Sequence, residues 1–201
     1  MDRSFLRFAR VFVCLAAVAF ISSSPAAGQQ RSPVSYETVL QLVVGSTDAA
    51  QRESLPAALA PIARRLGENF PFSRFKVTNT FLGRSGSPGR IEYKSVADPF
   101  GARDRSERPT FLDWSLSLSP NDAPDGHLVV DKFRFGARVP VVLSQLKNAG
   151  GQVDDLINYE AVGLTTERLT LSLGRPSLIG TISLPGAQGT LFLILTVRPA
   201  D

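Results

Sequence analysis

The stretch Phe111-Leu-Asp-Trp-Ser-Leu-Ser-Leu-Ser119 decides the fold. Leu112, Trp114, Leu116 and Leu118 alternate with Asp113, Ser115, Ser117 and Ser119, and a period of two sends each set to its own face of a strand. One face must be buried and the other wet, which is the pattern of an antiparallel sheet solvated on one side. Pro120 to Gly126 reads as the following turn and His127 to Phe135 as the return strand, with Val129, Phe133 and Phe135 on one side and Lys132 and Arg134 on the other.

Toward the carboxyl end, Leu169, Leu171 and Leu173 lead into Gly174-Arg175-Pro176, Leu178 to Leu184 is a second apolar run, and Pro185 to Gly189 turns into Thr190 to Val197. These three runs read as a meander, and the last, apolar on both faces, belongs in the middle of a sheet. Between Val139 and Val162 the alternation is poor, with a soft turn at Gly150-Gly151 and a strand at Ile157 to Val162.

Toward the amino end, Thr38, Leu40, Leu42 and Val44 alternate with Val39, Gln41 and Val43, both sides largely apolar, which predicts a strand covered on both faces. From Ser54 the period changes. Leu55, Leu59, Ile62 and Leu66 recur at helical spacing, so a helix is expected over about residues 54–69, with Ser54 as N-cap and Pro61 as a kink. Phe75, Val77 and Phe81 then mark a strand interrupted by Asn79, a βαβ-like start. Gly83 to Arg90 consists almost wholly of turn formers, so a hairpin loop is expected there before a strand at Ile91 to Val96. Ala97 to Pro109 reads as an exposed charged loop. The sum is an α+β, mainly β fold: an antiparallel sheet or sandwich of about nine strands with one helix packed on it.

Residues 1–28 carry the three regions of a secretory signal. Arg3, Arg7 and Arg10 precede an apolar run from Val11 to Ile21, and small residues follow from Ser22 to Gly28. The run is about eleven residues, short of the roughly 20 that span a bilayer. A cleaved signal and a single β-rich domain over residues 29–201 are therefore expected, exported to the periplasm or beyond the cell, with no transmembrane segment after cleavage. Of 22 basic and 18 acidic residues, Arg3, Arg7, Arg10 and Asp2 lie in the signal, leaving 19 against 17. So nearly neutral a domain argues against a nucleic-acid partner. Cys14, the one cysteine, leaves with the signal as well, so disulfides are excluded as staple or active site.

The inventory for chemistry is thin, and it leans against an enzyme. His127 is the sole histidine and fits a strand end better than a catalytic base. Gly83-Arg84-Ser85-Gly86-Ser87 lacks the second glycine of a nucleophile elbow. Asp122, Asp125 and Asp131 offer oxygen ligands without the EF-hand order of acids; no metal and no cofactor are expected. Asp154, Asp155 and Glu160 remain as carboxylates for a small secreted hydrolase. Phe75, Phe81 and Phe133 would line the cavity of a carrier for an apolar ligand. An outer-membrane barrel, the other exported strand-rich class, fits the helix poorly. For noncovalent contacts the candidates are Arg84 and Arg90 beside one loop and Arg103, Arg105 and Arg108 in another, since arginines on loops pair with carboxylates and phosphates.

Two resemblances bear on this. The carboxyl end, Leu169 through Gly174-Arg175-Pro176-Ser177-Leu178-Ile179-Gly180 to Leu191-Phe-Leu-Ile-Leu-Thr-Val-Arg-Pro199, resembles a hairpin near the end of the secretin family, although the doubled glycine is missing and the chain is too short for a secretin pore. The Leu-Gln-Leu-Val-Val-Gly strand, the helix ending in Phe70-Pro71-Phe72 and that hairpin together are similar to small exported bacterial proteins of no established activity, which implies a noncatalytic envelope protein. The reading that results is an exported domain that binds or assembles with an envelope protein or with itself, through edge strands or the arginine loops.

Overall fold

A computed structural model describes residues 34–47, 55–97, 109–119, 126–147, 153–183 and 189–200. The signal segment 1–28, Ser54, Arg103, Arg105, Arg108, Asp122 and Asp125 lie outside these residues.

Among the described residues, eight strands form two four-stranded antiparallel sheets. They are β1 (Val34–Ser46), β2 (Arg74–Ser87), β3 (Gly89–Ala97), β4 (Thr110–Leu118), β5 (His127–Lys147), β6 (Val153–Ser172), β7 (Ser177–Ser183) and β8 (Thr190–Pro199). The first sheet runs β2-β1-β8-β7 and the second β3-β4-β5-β6. Leu40 and Leu42 of β1 and Leu191, Leu193 and Leu195 of β8 face Leu112, Trp114 and Leu116 of β4 and Phe133 and Phe135 of β5 across one apolar core. Each side chain so buried contributes about 1.5–3 kcal/mol of transfer free energy. The fold is thus mainly β, a sandwich with one helix, as the alternation predicts.

The helix covers the other side of the first sheet. A 3-10 turn (Ala57–Leu59) runs into α1 (Ala60–Asn69), whose Ile62 and Leu66 join Leu59 in packing against Val43, Phe192 and Ile194. Since alternate residues of β1 and β8 feed the sandwich core and this second cluster, both strands are apolar on both faces and central. Pro61 is not interior to the helix, as the expected kink would require: it falls in the first turn of α1, where a missing N–H costs nothing. The βαβ-like start is corrected too: β1 and β2 are antiparallel neighbours.

Gly83 to Arg90 is likewise not a hairpin loop. β2 stays paired with β1 as far as Ser87, and β3 starts at Gly89 in the other sheet, where Gly89 pairs with Leu118. The turn-rich composition serves a corner at which the chain changes sheets. Ser87 donates through Oγ to the Ser119 carbonyl there, and a Cβ on Gly89 would stand 2.3 Å from the Gly86 carbonyl oxygen, so only glycine fits. The supposed three-run meander also divides: Leu169 to Ser172 end β6, while β7 and β8 belong to the first sheet.

The largest departure lies between Val139 and Val162. β5 and β6 pair without a break from His127 with Ser172 to Lys147 with Val153, apart from bulges. β4 accompanies β5 only as far as the Phe111–Arg138 pair, so residues 139–147 and 153–160 continue as a two-stranded ribbon. Pro140 stands where β5 loses its β4 neighbour, in keeping with the confinement of proline to unpaired strand edges.

Candidate functional site

The outer face of the second sheet is not covered by the helix, and its side chains follow from register. Successive rows across β3, β4 and β5 read Glu92, Ser115, Arg134; then Lys94, Asp113, Gly136; then Val96, Phe111, Arg138. Across β6 the last two rows add Gly163 and Ala161, and the next row is Pro140 with Tyr159. Two open depressions lie on this face. One of about 670 Å³ is lined by Lys94, Val96, Phe111, Asp113, Arg134 and Arg138; the other, of about 530 Å³, spreads over Gly136, Ala161 and Gly163 between Arg134 and Arg138.

The electrostatics are uneven. Arg134 lies 3.6 Å from Asp113, and Arg90 reaches Glu92 at 3.3 Å, exposed pairs of the kind worth about 0–1 kcal/mol. Arg138 makes no ion pair among the described residues. It stands beside Phe111, which is 44% exposed and whose ring centroid is 5.7 Å from that of Tyr159, itself 39% exposed. Val96 and Val142 extend the apolar surface, and Leu143, Leu146 and Leu156 are exposed farther along the ribbon. Arg138 thus places a guanidinium among exposed aromatic and aliphatic side chains.

Of the arginines expected to bind, Arg90 is on this outer face, two rows from the glycine floor, and is tied to Glu92. Arg84 is on β2 in the other sheet, opposite Glu37. Glu37 accepts a hydrogen bond from Arg198 at 2.8 Å, and that bond, stronger than the opposing desolvation and aided by the charges of Arg198 and Arg84, holds its carboxyl below the ordinary range. Arg84 and Arg90 therefore do not share a loop. Arg134, Arg138, Phe111 and Tyr159 were not singled out by sequence; the signal available was Pro140 followed by an apolar run, Val141 to Leu143, with no alternation to say which face is buried.

Two of the acids considered for hydrolysis are not neighbours along their strand. Asp154 and Glu160 lie six residues apart on β6, which is roughly 20 Å along a strand, against the ~5–10 Å that such chemistry requires. His127 is exposed at the start of β5, its Nδ1 3.5 Å from Ser172 Oγ. Asp131 accepts a hydrogen bond from Ser119 Oγ, and no group of three metal-binding side chains occurs among the described residues. Phe81 and Phe133 belong to the sandwich core, while Phe75 packs with the helix on the far side of the first sheet, so these three cannot line one cavity. No helix among the described residues is long and apolar enough to cross a membrane. The chain matches no protein-family model and no curated protein.

Proposed function

We propose that this is an exported, noncatalytic domain of the cell envelope that acts by binding a protein partner, and that the β5–β6 ribbon with the adjoining outer face of the second sheet makes the contact. One observation carries the reading: Val96, Phe111, Val142 and Tyr159 are all large, apolar and 39–60% exposed on one face of the sheet and its ribbon. Ordinary solvated strands alternate apolar with polar, and clustered exceptions mark contact surfaces. The surroundings favour protein over nucleic acid, since Arg134 and Lys132 are engaged by Asp113 and Glu167 and no continuous basic stripe remains among the described residues.

The test is recovery of partners from the protein's own envelope fraction, with tagged wild type beside a triple variant, Phe111→Ser, Val142→Ser and Tyr159→Ser. Because these side chains are exposed, the variant is expected to keep the wild-type melting temperature and to lose the partner. Equal recovery by both proteins would remove the ribbon from the proposal, and recovery by neither would remove binding.

A further inference from the structure

We infer that the outer face of the β5–β6 ribbon is a self-complementary interface on which two copies of this chain pair about a two-fold axis. The inference rests on the reading of this face as a contact surface and names its occupant. Along this one face the rows run Arg138 with Ala161, Pro140 with Tyr159, Val142 with Ile157, and Gln145 with Asp155. A cation stands at the base, an acid at the tip, and apolar side chains fill the middle.

Within one copy these charges cannot meet. Residues 155 and 161 are six positions apart on β6, roughly 20 Å of strand, while Arg138 sits beside Ala161 and makes no ion pair among the described residues. Two ribbons laid antiparallel, face to face, with the axis near residue 158, bring them together. The Asp155 carboxylate of each copy then reaches Arg138 of the other, and the Val142–Ile157 row of each packs on the Pro140–Tyr159 row of the other. Such a two-fold contact makes every pairing twice, so one Arg–Asp pair becomes two. Asp155 accepts a hydrogen bond from Gln145 Nε2 at 3.0 Å, and a carboxylate, with about four lone-pair sites, can accept a guanidinium beside such a bond.

The size of the face sets the strength. A ribbon about 20 Å long and two strands, about 10 Å, wide presents roughly 200 Å² per copy, or ~400 Å² in all, well below the ~1,200 Å² of a standard interface. The dimer should therefore be weak, with a dissociation constant in the micromolar range or above, and weaker in high salt.

Sedimentation velocity on the full chain, expressed from its first residue and purified as the cell processes it, tests this from micromolar to sub-millimolar concentration. Wild type is expected to dimerise, and Arg138→Glu and Asp155→Lys are each expected to weaken it at least ~10-fold by setting like charges face to face. Mixing the two variants should restore dimers: the heterodimer keeps one native pair of Arg138 with Asp155, and at the other contact the two substituted side chains, now of opposite sign, face each other. Unchanged circular dichroism in each variant separates loss of contact from loss of fold. A wild type monomeric throughout, single variants that dimerise normally, or a mixture that stays monomeric would each overturn the inference. Recovery of a different protein from the envelope by a monomeric wild type would overturn self-pairing and leave partner binding standing.

Discussion

Truncating Phe192 to alanine should loosen the packing of the helix layer on the first sheet and cost about 4 kcal/mol. Phe192 is fully buried on β8, and its ring meets Phe70, Phe75 and Phe72 edge-on at centroid distances of 4.8, 5.7 and 6.0 Å. Three such contacts at ~0.5–1.5 kcal/mol each give roughly 1.5–4.5 kcal/mol, and the measured range for removing a buried phenylalanine is about 3–5 kcal/mol. With a urea dependence of about 2 kcal/mol per molar, the unfolding midpoint should fall by about 2 M. Trp114, the only tryptophan, is buried in the sandwich core and not under the helix, so its fluorescence follows the sandwich while far-ultraviolet circular dichroism follows all the backbone. Leu191 and Leu193, the neighbours of Phe192, point into the sandwich core, so both probes should shift together. A loss under ~1 kcal/mol, no larger than an ordinary surface substitution gives, would refute the assignment of this aromatic cluster as the attachment of α1.

Thr38 is fully buried and its Oγ1 has no hydrogen-bond partner among the described residues, so Thr38→Val should stabilise the protein by about 1 kcal/mol in urea melts, a buried orphan hydroxyl being replaced by a methyl of similar shape. Gly163→Ala should destabilise it by ~1–3 kcal/mol, because the added Cβ would stand 2.4 Å from the Phe135 carbonyl oxygen and 3.2 Å from Gly136 Cα, backbone atoms that cannot turn aside; a wild-type melting temperature would refute that packing. The Glu37 carboxyl, held low chiefly by its hydrogen bond from Arg198, should titrate below 4.5 by NMR and return upward in Arg198→Ala. A depressed folded-state value stabilises the fold above the unfolded-state pKa and is lost as pH falls through the depressed one, so this contribution, small on an exposed site, belongs to neutral pH and vanishes in acid.

Alternation makes a strand legible when its two faces meet different surroundings, and continuous apolarity does so when both are covered. β4 is the first case and β1 and β8 the second, so all three were readable from residue type alone. β5 was readable over its sandwich half, although the bulge opposite Ser117 and Leu118 moved the inward set from Val129 to Leu128 and Val130. The ribbon half was not, because beyond Val139 no described side chain of it is buried and the sequence there carries no periodic constraint from a core. Gly83 to Arg90 misled for a related reason: a sheet-changing corner needs the same glycines and proline as a hairpin, and only the partner strands, set by contacts distant in sequence, tell the two apart. The arginine candidates came from loop composition, which marks exposure; the Arg138 and Phe111 arrangement depends on three strands in register, which composition does not encode.

The two sheets meet unequal fates, and the inequality is what the contact proposed above rests on. The first sheet has a core on each side, so its residues are spent on packing, and Val43 and Phe192 point at α1 as firmly as Leu42 and Leu193 point at the sandwich. The second sheet has one core. Its free side answers water with charge over most of its area, through Arg90 with Glu92, Arg134 with Asp113 and Lys132 with Glu167. That pattern stops at the row of Val96, Phe111 and Arg138, beyond which β5 and β6 run on for a further nine and eight residues respectively, to Lys147 and from Val153, with apolar side chains exposed. Extending a hairpin past its sheet gains no core, and ordering each added residue costs about 1–2 kcal/mol of backbone entropy. On the contact proposed above, a surface that covers the ribbon would offset that cost, which the stability of the monomer does not.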